Sequence, residues 1–231
     1  MANPNTPPKR PFWQPSFIMH GLWSRFDVVK ELAWDMECSM RRRIESLNEQ
    51  ASKLNEIEDE DYRDHLSDTY SDEYFSYTTE WIPLIRESLL LSICSSFEYH
   101  LDRLSSSYGR ACGSSFKLGD MKDRGLTRTR KFMIRLGVEE QAFGQAWQAL
   151  GDIYKVRNRI AHAGSISDAE TQKAIQSQSD IFEQGDVNDY SIKIKEDGIE
   201  KVCELMQNAL RDINKHLFAP SKKEETEQAA P

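Results

Sequence analysis

The chain has 231 residues and a formal net charge of −8, with hydrophobic residues at 39% and charged residues at 29%. That is enough chain for one well-buried domain and too little for two large ones. The acidic balance excludes a protein that grips nucleic acid by overall charge, and no apolar run is long enough to span a bilayer. The longest apolar run, Trp81 to Phe97, is broken by Arg86, Glu87 and serines. The four cysteines (Cys38, Cys94, Cys112 and Cys203) form no C-x-x-C pair, so free, mostly buried thiols in a reducing cytoplasm are expected.

In chain order, residues 1–20 hold five prolines and lack the apolar stretch of a secretory signal. They read as an extended arm whose aromatics, Phe12, Trp13 and Phe17, pack against something. Leu22, Phe26, Val29, Ala33, Met36, Met40, Ile44 and Leu47 recur at steps of three and four. This predicts one long amphipathic helix to about Ile57. Acids dominate from Glu45 to Glu80. Within that stretch, His65 beside Asp61 and Asp64 has a weak metal-ligand character.

A second helix is expected from about Tyr74 to Tyr108, with Pro83 starting its main part or kinking it. A loop follows, then a basic helix from about Met121 to Leu136. Lys117, Lys122, Arg124, Arg128, Arg130, Lys131 and Arg135 face only Asp120 and Asp123 in this region. Such a stretch suits a polyanion, though a solvated helix face is an equally simple account. A fourth helix runs from about Glu139 to Ala163 and closes on Gly164.

Ser167 can cap a short helix, and the alternation Tyr190, Ile192, Ile194 predicts a strand or hairpin. Asp197 can cap a last helix, and residues 219–231 read as a disordered tail. The expected architecture is all-α over residues 21–218: a helical bundle with a small β-hairpin or strand before its last helix.

The fourth helix carries the chemistry, in "YKVRNRIAHAG", Tyr154 to Gly164. On a wheel, Arg157 falls among Trp147, Leu150, Tyr154, Ile153 and Ile160, in the middle of the apolar arc, at about −40° from Phe143. A guanidinium keeps its charge, so burial without a partner costs several kcal/mol. Arg157 therefore needs an anion, a carboxylate or another subunit. Asn158 and His162 stand one turn apart on the arc's far border. Glu98, at the edge of the second helix's stripe, is a candidate partner for Arg157. A salt-bridged core arginine with a terminal histidine favouring the helix dipole fits the same pattern. Glu98 as a solvated flank residue fits equally well. No phosphate-cradling glycine loop, G-x-S-x-G or H-E-x-x-H is present.

"VRNRIAHAG" resembles the signature of the HEPN superfamily: an Arg, usually then Asn, and a His near a helix end. "SICSSFEYHLDRL" is similar to the acid-bearing helix that precedes the signature in many members. The resemblance spans about Leu22 to Phe218. It implies a metal-independent endoribonuclease of the toxin or phage-defence type, without a cofactor, in the cytoplasm. It further implies a homodimer whose motif helices pair around one cleft, with Arg157, Asn158 and His162 from each chain. The RNA 2′-OH would attack the adjacent phosphorus, leaving 2′,3′-cyclic phosphate and 5′-OH ends. Glu98 would support the site; Lys122, Arg124, Arg128, Arg130 and Lys131 would contact phosphates.

An antitoxin or defence-system protein would be a partner. Members paired with a nucleotidyltransferase antitoxin often carry a Tyr two residues after the His. This chain has Gly164 there, so that particular partner is not implied. A non-catalytic HEPN dimer that binds RNA, nucleotide or a regulatory protein is the alternative, and a helical scaffold without a site is a third reading.

Overall fold

The computed structural model describes residues 16–163, 166–185 and 191–218. The chain is mostly helical, with a small antiparallel hairpin before its last helix. Most of the expected arm (1–15), the expected cap Gly164, Tyr190 and the expected tail (219–231) lie outside the described residues. Helix α1 spans Ser16–Ser52, so the last residues assigned to the arm are helical. The expected stripe faces inward: Leu22, Phe26, Val29 and Leu47 are buried.

Helix α2, Glu60–Ser76, corrects the reading of the acidic stretch. It buries no residue, which is why hydrophobic periodicity gave no sign of it. Its helix is started by Asp59, whose carboxylate accepts from the Tyr62 N–H at 3.0 Å. It runs on through a π-turn, Tyr77–Trp81, into helix α3, Ile82–Ala111. Pro83 sits in the first turn of α3 and has no N–H to offer the preceding turn. The widened turn absorbs that loss, and the Thr78 and Thr79 hydroxyls donate to the Tyr74 and Phe75 carbonyls.

Helix α1 lies antiparallel against α2 and α3: Arg43 pairs with Glu73, and Glu37 takes both Nε and Nη2 of Arg86 at 2.5 and 2.8 Å. Helix α3 is the spine, burying Leu90, Ile93, Phe97, Leu101 and Leu104. Helix α4 covers Gly125–Arg135, four residues later than expected. Residues before it form a short 3-10 turn, Leu118–Asp120, closed by the Lys117 N–H donating to Asp120 at 2.8 Å.

Helix α5 is Gln145–Ala163. It too begins later than expected, because a separate 3-10 turn, Glu140–Ala142, precedes it and Phe143 is non-helical. Helix α6, Ala169–Ser177, is capped by Asp168 rather than Ser167: the Asp168 carboxylate accepts from the Thr171 N–H at 2.8 Å.

Strands β1 (Phe182–Gln184) and β2 (Ile192–Ile194) pair in register Phe182↔Ile194. The predicted alternation holds, with Ile192 and Ile194 buried. Helix α7, Gly198–Phe218, starts where a Cβ would meet the Ile181 carbonyl at 2.9 Å, so only glycine fits. Cys94 and Cys203 are buried, Cys38 and Cys112 partly so, and none of the four forms a disulfide among the described residues. No described helix is long and apolar enough to cross a membrane.

Arg86 also donates to the Ile194 carbonyl at 2.8 Å, so one guanidinium ties α1, α3 and β2 together. Both side chains of the Arg86–Glu37 pair are only about one-sixth exposed, at 17% and 16%. Removing one partner strands the other's charge. Glu37→Ala is expected to destabilise the fold by about 3 kcal/mol, measured by urea unfolding, and the double replacement Glu37→Leu with Arg86→Met, which strands no charge, by clearly less. Equal losses would contradict a penalty set by the stranded charge.

Candidate active site

Helix α5 buries Trp147, Leu150, Ile153, Tyr154, Val156 and Ile160. Arg157 stands in the middle of this arc, as the wheel requires. It is only partly buried, because α5 leaves the core there: Asn158, Ala161 and His162 are exposed. One turn earlier, the Tyr154 hydroxyl donates to the Cys94 carbonyl at 2.8 Å and fastens α5 to α3. Burial, the largest influence, pushes the Tyr154 phenol far above its ordinary range and the Cys94 thiol up to about 12. Neither group is a proton donor or nucleophile near neutral pH.

Arg157 extends toward α3. Its Nη2 donates to Ser95 Oγ at 3.1 Å and its Nη1 to Asn158 Oδ1 at 3.0 Å. The Ser95 hydroxyl proton is engaged elsewhere, on the Leu91 carbonyl at 2.8 Å, so its oxygen is free to accept. The Nε of Arg157 is buried with no hydrogen-bond partner among the described residues. Two neutral oxygens thus hold this charge, and among the described residues no carboxylate forms an ion pair with it. Asn158 orients Arg157, not His162.

Glu98 lies one turn from Ser95 on α3. It is not the direct partner expected for Arg157, but the two sense each other's charge. Glu98 is held above the usual carboxylate range, first by desolvation and then by Asp102, against the opposing pull of Arg157 and Arg128. Its carboxylate faces the start of α4: a Cβ built on Gly125 would stand 3.8 Å from Glu98 Oε1, at a backbone φ of +53°. The basic helix therefore begins beside the acid that borders Arg157.

The basic residues divide into two groups. Arg128 pairs with Asp102, which also accepts from Thr129 Oγ1 at 3.1 Å. Arg130 pairs with Glu140 at 2.5 Å, and Lys131 with Asp123 at 2.7 Å. These three expected phosphate contacts have much of their charge spent within the fold. Lys122 and Arg124 are exposed and form no ion pair among the described residues.

His162 is exposed in the last turn of α5 and is not hydrogen-bonded among the described residues. It and Arg157 point apart on one helix, so one chain does not focus both on a single atom. Arg159 has a structural task. Its Nε donates to the Ile166 carbonyl and its Nη1 lies 3.4 Å from Asp168, clamping the end of α5 to the start of α6. His65, Asp61 and Asp64 are not gathered into a metal-ligand group among the described residues. Ser95 and the Arg159 clamp had no sequence signal, since each depends on which elements meet. No family model matches this chain, and neither a curated protein nor a solved structure matches it.

Glu98 binds its proton more readily folded than unfolded, so the fold takes up a proton and loses stability as the pH rises above the ordinary carboxylate value of 4.5. Glu98→Gln removes that loss. Its melting temperature should exceed the wild type's near neutral pH, with the gap closing toward about pH 4. A gap that widens on acidification would contradict the burial penalty.

Proposed function

We propose that the chain is a HEPN-type, metal-independent endoribonuclease that acts as a homodimer in the cytoplasm, a toxin or phage-defence effector. The observation that carries this is Arg157: a guanidinium held by two neutral oxygens, with its Nε unpartnered, on the helix that ends in an exposed His162. A cation left without a counter-ion at the edge of a core is ready for an anion from outside. The adjacent Asn158 and His162 supply the remaining parts that RNA transesterification needs.

In this reading, two copies of α5 pair about a two-fold axis and form one cleft. Arg157 binds the scissile phosphate and stabilises charge on the pentacovalent phosphorus. One His162 takes the proton of the 2′-OH as that oxygen attacks phosphorus. The His162 of the second copy gives a proton to the departing 5′-oxygen. The products are a 2′,3′-cyclic phosphate and a 5′-OH, and DNA, lacking the 2′-OH, is not cut. Asn158 holds the guanidinium in place. Glu98 sets the potential beside it, and Lys122 and Arg124 at the start of α4, which form no ion pair among the described residues, meet flanking phosphates. An antitoxin or defence-system protein that covers this face would silence it.

A second reading keeps the dimer and the anion site but no chemistry, with RNA, nucleotide or a regulatory protein as ligand. It is favoured by His162 having no hydrogen bond among the described residues to set its tautomer. RNA incubated in EDTA separates the two. Wild type is expected to cleave, and His162→Ala to lose about 100-fold or more of the rate. Cleavage that survives in the variant, or that EDTA abolishes in the wild type, contradicts the mechanism. A light-scattering mass of a single chain removes the shared cleft.

A further inference from the structure

A groove of about 460 Å³ opens beside α3, lined among others by Tyr99, Arg103, Arg110 and Arg128. A second hollow of about 430 Å³, reaching Phe116 and Lys117, shares Ser106, Arg110, Leu118 and Gly119 with it, so the two form one continuous channel. Its charge is uneven. Asp102 answers Arg128, whereas Arg103 and Arg110 meet no carboxylate among the described residues.

Tyr99 is 58% exposed, with the Arg103 guanidinium 5.6 Å from its ring centroid. At the far end, Arg135 lies 4.0 Å over Phe116. Tyr99, Arg103, Ser106 and Arg110 follow steps of four, three and four along α3. The same helix carries Ser95 and Glu98, and the rise from Ser95 to Asp102 is about 10 Å.

We propose that this channel is the track for single-stranded RNA running on from the Arg157 site, with phosphates on Arg103 and Arg110 and a base stacked on Tyr99. Unpaired guanidiniums beside an open aromatic face are what a single strand needs, because every base has a face to stack and every linkage a charge to meet. Continuity between the two hollows favours a strand over a mononucleotide, which would fill one of them. The proposal rests on the RNA reading of the motif and names where the substrate lies. Arg103 and Arg110 are exposed, so their loss leaves the core intact.

The test uses the full chain carrying His162→Ala, so that RNA survives, with fluorescence anisotropy of an oligouridylate dodecamer. Arg103→Ala with Arg110→Ala should weaken binding about tenfold or more and flatten the slope of log affinity against log salt by about 1.4, two phosphates' worth. Tyr99→Ala should weaken it as well, and Tyr99→Phe should not. Unchanged affinity and slope in the arginine variant overturn the track. So does a His162→Ala parent that binds uridine monophosphate as tightly as the dodecamer, or one from which polyglutamate displaces RNA at equal charge. Cleavage by the native chain separates the two ideas. Arginine-dependent binding with no cleavage keeps the track and removes the ribonuclease; His162-dependent cleavage without arginine dependence does the reverse.

Discussion

The arrangement depends on one unbalanced charge. Arg157 occupies a position that its helix offers to the core, yet what meets it there is Ser95 Oγ and Asn158 Oδ1, two neutral oxygens. Two other partly buried guanidiniums of the fold meet carboxylates: Arg86 with Glu37 and Arg128 with Asp102. The contrast matters because both solutions occur on the same spine, α3. Glu98 is close enough to shape the potential at Arg157 and does not close on it. Desolvation keeps that carboxyl reluctant to ionise, which leaves the guanidinium still less compensated.

Helix α3 turns a one-dimensional order into a surface. Ser95 meets Arg157, Glu98 meets the start of α4, Asp102 meets Arg128, and Arg103 and Arg110 face the channel. Ser95, Glu98 and Asp102 follow at steps of three and four, and Arg103 and Arg110 stand seven apart beside them, so all five fall within about 140° of the helix circumference. The rest of the fold keeps this side in place: α1 and α7 also pack on α3, and the Tyr154 hydroxyl locks the height of α5 against α3. The Arg159 clamp then fixes where α5 ends, and so where His162 stands.

Much of this was legible in residue order. The stripes of α1 and α3, the hairpin alternation at Ile192 and Ile194, and the position of Arg157 in an apolar arc all follow from periodicity, because burial selects for it. Helix α2 was not legible for the same reason reversed: a helix that buries nothing leaves no stripe. The late start of α5 comes from a local 3-10 turn, and that of α4 from extended backbone at Met121 and Arg124, and neither has a strong composition signal. Within the site, Arg157 and His162 could be picked out, but Ser95 could not, since its role is set by where α5 crosses α3. The basic stretch misled in part. Composition counts charges, and only packing shows that Arg128, Arg130 and Lys131 already have carboxylate partners while, among the described residues, Arg103 and Arg110 meet none.

On the proposed reading, Arg157 is kept for a ligand at the fold's expense. The most direct measurement of this compares wild type with Arg157→Met, an apolar side chain of similar reach, in thermal stability and in affinity for a non-cleavable RNA with a 2′-deoxy linkage. A charge held for an outside anion predicts a variant that melts at or above the wild-type temperature and binds the RNA far more weakly. A variant that melts several degrees lower and still binds would make Arg157 a structural arginine and contradict the account.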